Sequence, residues 1–180
     1  APTLPGILGT SAPATNNADM KSYGWEMELS WRDRINEFNY GGRFTLADGQ
    51  REVTKYPNES GDINTWYAGK LDGTIWGYTT VGIAQTQEEM DAHLANNKPN
   101  WGSKWGAGDV MYADLNGDGE VTSGSSTLGD HGDLTVIGNS YARYNFGLTL
   151  DGSWKGLDFS VFLQGVMKRD YWLDGPYFWG

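Results

Sequence analysis

From Trp25 the chain alternates strictly, with Trp25, Met27, Leu29 and Trp31 on one side and Glu26, Glu28, Ser30 and Arg32 on the other. Side chains of an extended strand point to opposite faces with a period of two, so this run predicts a strand of about ten residues with one apolar and one polar face. A short polar turn at "DRINEF" follows. Tyr40, Gly42, Phe44 and Leu46 then alternate with Asn39, Gly41, Arg43 and Thr45, and the two segments predict a hairpin. The last third repeats the plan. Tyr144, Phe146, Leu148 and Leu150 face away from Arg143, Asn145, Gly147 and Thr149; after the turn "DGSWKG", Leu157, Phe159, Val161 and Leu163 oppose Asp158, Ser160, Phe162 and Gln164.

Between Gln50 and about Asn139 the alternation fades. One weaker strand is expected at "GTIWGYTTVGI" and one helix at Gln87 to Asn96. Thr86 with Glu89 forms a capping box for that helix, and Pro99 forbids its continuation. Residues 1–22, rich in Pro, Ala, Thr and Asn, show no period and predict a loop. The expected organisation is a loop at 1–22, a strand hairpin at 23–51, a long loop at 52–140, a second hairpin at 141–168 and the start of another loop at 169–180.

Strands with one apolar and one polar face suit two architectures, a soluble sandwich with a shared core or a membrane barrel with lipid outside and water inside. Here every long connection falls on one side and every short turn on the other, as in bacterial outer-membrane barrels. A sandwich with one large insertion has the same order. Trp25, Trp31, Tyr141, Trp154, Tyr171 and Trp172 lie near strand ends, where a barrel carries its aromatic girdles and where a soluble hairpin packs its aromatics.

Composition narrows the field. In 180 residues there are 26 Gly, 9 Trp, 10 Tyr and 6 Phe, which favours strands and turns over a helical bundle. A net charge of -10 argues against the basic stripe that nucleic acid requires. The absence of Cys excludes a disulfide framework and a thiolate metal site. No apolar run is long enough for a transmembrane helix, which says nothing against a transmembrane β-strand. The opening "APTLPGILGT" lacks the features of a signal peptide, and Ala1 in place of Met suggests a processed or excised chain. Catalysis is not expected. Carboxylates are abundant but no motif pairs two of them, and His93 and His131 stand without a nucleophile or zinc partner.

The stretch "DLNGDGEV" carries the clearest candidate chemistry. Counted as a calcium loop of the EF-hand type, it places Asp114, Asn116, Asp118, the Glu120 carbonyl and Thr122 at the ligand positions, with Gly119 at the sharp turn. Ser125 stands where a bidentate Glu is needed, and the flanks do not predict the two helices of an EF-hand. A closing carboxylate would come from Asp130 or Asp133. Two readings stay open, a Ca²⁺ site and an Asx-rich turn whose side chains bond their own backbone.

The motifs "GDVMYADLNGDGEVT" and "GDLTVIGNSYARYNFGLTLDGSWKGLDFSVFLQG", ending in "RDYW", resemble the C-terminal part of the SusC/RagA family of TonB-dependent outer-membrane transporters. Upstream, "LPGILGTSAPATNNADMKSYGWEMELSWRD" and "GTIWGYTTVGI" are similar to the family too. The resemblance implies an all-β fold of antiparallel strands from a transmembrane β-barrel of about 22 strands, in the outer membrane and touching its lipid. It also implies import of glycan oligosaccharides or peptides, powered by the TonB complex, under a SusD-like lipoprotein lid. Four or five strands cannot close a barrel, so the chain is expected to be a fragment of such a transporter. Residues 52–140 would then be an extracellular loop holding the short helix and the EF-hand-like calcium loop. In it Trp66, Tyr67, Trp76, Tyr78, Trp101 and Trp105 either stack sugar rings or pack the loop and its lid. The family pattern closes the calcium loop sooner and follows the acid with Arg, whereas here Asp133 comes late and Leu134 follows it, which weakens the transfer of a metal role to Asp133. A soluble, calcium-stiffened glycan-binding β-module is the alternative; in it the apolar faces at Trp25–Trp31 and Leu157–Leu163 would pack against each other.

Overall fold

The computed structural model describes residues 16–102 and 104–173. Its elements in chain order are β1 (Asp19–Ile35), β2 (Phe38–Lys55), β3 (Thr74–Tyr78), β4 (Thr80–Ile83), α1 (Gln87–Leu94), β5 (Lys98–Pro99), β6 (Val110–Tyr112), β7 (Glu120–Val121), β8 (Leu134–Asn139), β9 (Arg143–Trp154) and β10 (Leu157–Lys168). The chain divides into two compact units. One is built from Lys21–Glu52, Leu71–Thr74 and the segment from Asn139 onward, the other chiefly from Val53–Lys70 and Ile75–Gly138.

The first unit is one sheet in the order β1-β2-β9-β10. β9 pairs antiparallel with both β2 and β10, so the two predicted hairpins are direct neighbours although the whole second unit intervenes in sequence. Phe38 faces Trp154 and Leu157 faces the same Trp154, whereas Ala47 faces Asn145 far from the turns. Both tight turns therefore lie at one end of the sheet, and the long connection joins β2 to β9 at the other. The turn after β9 has Lys155 at φ 47° and Gly156 at φ 85°. Two successive left-handed residues are what a two-residue hairpin turn with the strands' own twist requires.

Register places every predicted apolar series on one face. Phe44 stands across from Leu148 and Leu148 across from Leu163; Gly42, Leu150 and Val161 form the next row. No described residue of this unit covers that face. Leu29 is 55% exposed, Phe159 53% and Leu163 52%. Because Trp25–Trp31 and Leu157–Leu163 lie on the same side of one open sheet, they cannot pack against each other, and the arrangement expected of the soluble module does not form. Glycines let rings lie flat on this face. A Cβ at Gly42 would overlap the Trp31 ring, one at Gly152 the Phe159 ring, and one at Gly165 the Phe146 ring. At the turn end Phe38 stacks on Tyr40 at 5.7 Å and on Phe159 at 6.3 Å.

The first two strands run further than the apolar alternation. The expected hairpin of 23–51 becomes Asp19–Lys55, and the six-residue turn at "DRINEF" shrinks to Asn36 and Glu37. Ladder hydrogen bonds need no apolar face. Polar pairs take over where the alternation stops: Lys21 to Glu52 at 2.9 Å, Tyr23 to Gln50 at 3.3 Å and Tyr40 to Asp33 at 3.2 Å. The expected loop at 1–22 lies outside the described residues as far as residue 15, as does the final loop beyond residue 173. Residues 16–18 and 169–173 are not in strands, and β1 already begins at Asp19.

The second unit is more ordered than the fading alternation predicted. It contains three two-stranded pairings, β3 with β8, β4 with β6 and β5 with β7. The single strand expected at "GTIWGYTTVGI" is two strands in different sheets, divided at Thr79. Helix α1 starts as expected: Thr86 Oγ1 accepts from the Glu89 amide at 3.2 Å, and the Glu89 carboxylate accepts from the Gln85 amide at 2.7 Å. It ends at Leu94, short of Asn96, because the Ala95 and Asn96 amides and the Asn97 side chain all turn back to the His93 carbonyl. Its one buried residue, Met90, packs with Ala84 and Met111, and Leu94 and Trp105 close over them.

Candidate functional site

The "DLNGDGEV" loop is a chain of side-chain oxygens bonded to nearby amides. Asp114 Oδ1 accepts from the Gly117 amide at 2.6 Å and Oδ2 from the Gly119 amide at 2.7 Å. Asn116 Oδ1 accepts from the Asp118 amide at 2.9 Å, and Asp118 Oδ1 from the Glu120 amide at 2.8 Å. The Asn116 side-chain amide donates to Asp118 Oδ2 at 3.0 Å. Gly117 and Gly119 sit at φ 80° and 91°, with open space around both, so it is backbone conformation that demands glycine there. The amides, that of Gly119 foremost, hold the Asp114 carboxyl below the ordinary carboxylate range against the opposing effect of desolvation.

Asp133 lies beneath this loop with no exposed surface. Its Oδ1 accepts from the amides of Leu115 at 2.7 Å and Asn116 at 3.3 Å, and its Oδ2 from the Thr122 amide at 2.7 Å. Thr122 returns a bond, its carbonyl accepting from the Asp133 amide at 2.8 Å. Thr122 Oγ1 turns to the Gly124 amide, and the exposed Glu120 belongs to β7, where it pairs with Lys98. The other possible closing acid, Asp130, bonds the Ser125 hydroxyl at 2.5 Å and the Ser125 amide at 3.0 Å.

Calcium needs six to eight oxygen ligands converging on one point. The donors here are of the right hard type, but among the described residues no three acidic or histidine side chains are grouped to hold a metal ion. Asp133 commits both oxygens to backbone amides. The donor set does not fit a closed cage of carboxylates.

The six aromatic residues named as candidate ligand or lid contacts fall into two groups. Tyr78 stacks on Trp101 at 4.5 Å; Trp105 meets Trp101 edge-on at 6.3 Å, and Tyr112 touches all three. Tyr112, which the sequence pattern left unmarked, completes this quartet from β6. In the second group Trp66 and Tyr67 flank Lys70, and Trp76 joins through Tyr67. The Lys70 ammonium sits 5.2 Å from the Tyr67 ring and 5.9 Å from the Trp66 ring and donates to the carbonyls of Ile63 and Thr65, each at 2.8 Å. Burial pushes its pKa down, opposed by the charge of Asp62. Trp76 donates to the Tyr67 hydroxyl at 3.1 Å and leans on His131 at 5.5 Å. Of the six, Trp66 has the freest face, at 37% exposed.

No helix among the described residues is long and apolar enough to cross a membrane, which says nothing about crossing with strands. No family profile matches the chain. It is 25% identical over 180 residues to TonB-dependent receptor P26 of Formosa agariphila. The alignment covers 93% of this chain and 17% of that protein, so the chain spans about a sixth of the length of the curated relative it matches. In sequence the chain is similar to one stretch of a TonB-dependent receptor, and in fold its described residues are mostly β, chiefly antiparallel, with one short helix.

Proposed function

We propose that this chain forms part of the wall, and one outer loop, of a bacterial outer-membrane transporter of the TonB-dependent receptor kind, in its SusC/RagA branch. The observation that carries the reading is the sheet β1-β2-β9-β10, whose apolar face is bare and whose tight turns share one end. From Phe146 to Trp154 the apolar series of β9 extends about 27 Å at about 3.4 Å per residue. A strand tilt of about 40° reduces that to about 21 Å, near the roughly 25 Å apolar band of outer-membrane barrels. On this reading lipid covers the apolar face, further strands of the barrel pair with the free edges of β1 and β10, and the polar face lines the lumen. The second unit is the extracellular loop at the mouth.

The work of the protein is then transport and not catalysis. Glycan oligosaccharides or peptides enter past the loop under a SusD-like lipoprotein lid, and the TonB complex drives import through regions of the transporter outside this stretch. The two aromatic groups serve as the loop's contacts for ligand or lid, Trp66 with its open face foremost. A loop already ordered by its own pairings and core loses less entropy when ligand arrives.

Sedimentation of the chain without detergent tests this reading. Association, or solubility only in detergent, is expected, because the bare face and the two free edges must be covered. A compact, stable monomer in plain buffer would overturn it.

A further inference from the structure

The sequence offers a cation a row of oxygens, yet the folded loop turns those oxygens inward onto its own backbone. We propose that Asp133 closes the Asp114–Glu120 turn as a buried backbone staple, so that the turn keeps its shape without a cation. An enclosed carboxylate must be satisfied by a cation or by several N–H donors. Asp133 has three such donors, two on Oδ1 and one on Oδ2. They come from both arms of the turn, Leu115 and Asn116 at its start and Thr122 after it. A single side chain thus ties the entry and the exit of the loop together.

The neck of the loop is held from a second direction as well. The Asp114 amide donates to Asn97 Oδ1 at 3.0 Å, and the Asn97 side-chain amide donates to the His93 carbonyl at the end of α1 at 3.2 Å. Beyond the turn, β7 pairs in parallel with β5, Glu120 beside Lys98 and Val121 beside Pro99. Asp114, Asn116 and Asp118 then bond the turn's own amides within these anchors. Each constraint is a hydrogen bond within the chain. The inference stands whether or not the sheet lies in a membrane.

Amide hydrogen exchange of the whole chain, compared in excess EDTA and in excess calcium chloride, is the test. The Leu115 and Thr122 amides should be protected to within about twofold of each other in the two conditions. Asp133→Asn replaces one acceptor oxygen by an NH2 group that faces a backbone N–H, and it should lower that protection at least about tenfold in both conditions. Free exchange of the wild-type amides in EDTA that calcium abolishes would overturn the proposal. So would an Asp133→Asn chain whose lost protection calcium restores. If Asp133→Asn does not fold, the wild-type comparison decides alone.

Discussion

Asp130 shows how much a single carboxylate can do in an exposed turn. It binds the Ser125 hydroxyl and the Ser125 amide, and these bonds, the hydroxyl first, hold its carboxyl below the ordinary 3.8 although desolvation opposes them. A carboxyl depressed in the folded state stabilises that state above its unfolded pKa, and the contribution fades as pH falls through the folded value. Carbon NMR of the Asp130 carboxyl should therefore show a midpoint below 3.8, with exchange of the Ser125 amide rising over the same window. Ser125→Ala should return the midpoint toward 3.8, and a wild-type midpoint at or above that value would refute the assignment. The acids of this region were legible in the sequence as a row of oxygens at ligand spacing. Their partners were not, because the amides that meet Asp133 are up to 18 positions away and carry no residue-type signal. Tyr112 was missed for a similar reason: three residues of β6 are too few to show a period.

At the scale of the element, the capping box of α1 and the long alternations were readable because each is a local rule acting over a few residues. Strand ends were not, since pairing continues through polar residues for as long as a partner strand is present. The glycines of the sheet are a further case. In sequence Gly42, Gly152 and Gly165 look like weak points of their strands. Paired, each lies under an aromatic ring from the neighbouring strand. Gly152→Val should displace the Phe159 ring and destabilise the sheet by roughly 1–3 kcal/mol, read as a lower urea midpoint in detergent micelles. In the Gly152→Val, Phe159→Ala pair the two costs should sum to more than the double change, because the clash exists only while both side chains are present. Strict additivity would mean that the ring does not occupy that place.

For the whole molecule, the decisive property is which face of the sheet meets which solvent. Val161 faces Leu150 on the apolar side, and Phe162 faces Thr149 on the polar side one position later. On the proposed reading of the sheet as barrel wall, Val161→Arg in the full-length protein should hinder assembly in the outer membrane, at a cost of about 2–4 kcal/mol for a cation at mid-depth. Thr149→Arg, on the polar side of the same pair of strands, should be tolerated. Equal yields of the two variants in isolated outer membranes would remove the lipid-facing assignment.

Alternation alone determined that four long segments are two-faced strands, that they form two hairpins, and that a capped helix interrupts the long connection. Each follows from side-chain periodicity or a cap, which act between residues near in sequence. Only the tertiary structure decided that β2 and β9 are neighbours, and so that all the apolar sides share one face, which no described residue of the same unit covers. Strand pairing across a long insertion depends on register and not on any local pattern. The same holds for the turn at Asp114, whose acids are plain in the sequence, while the amides that satisfy Asp133 are brought to it by the fold.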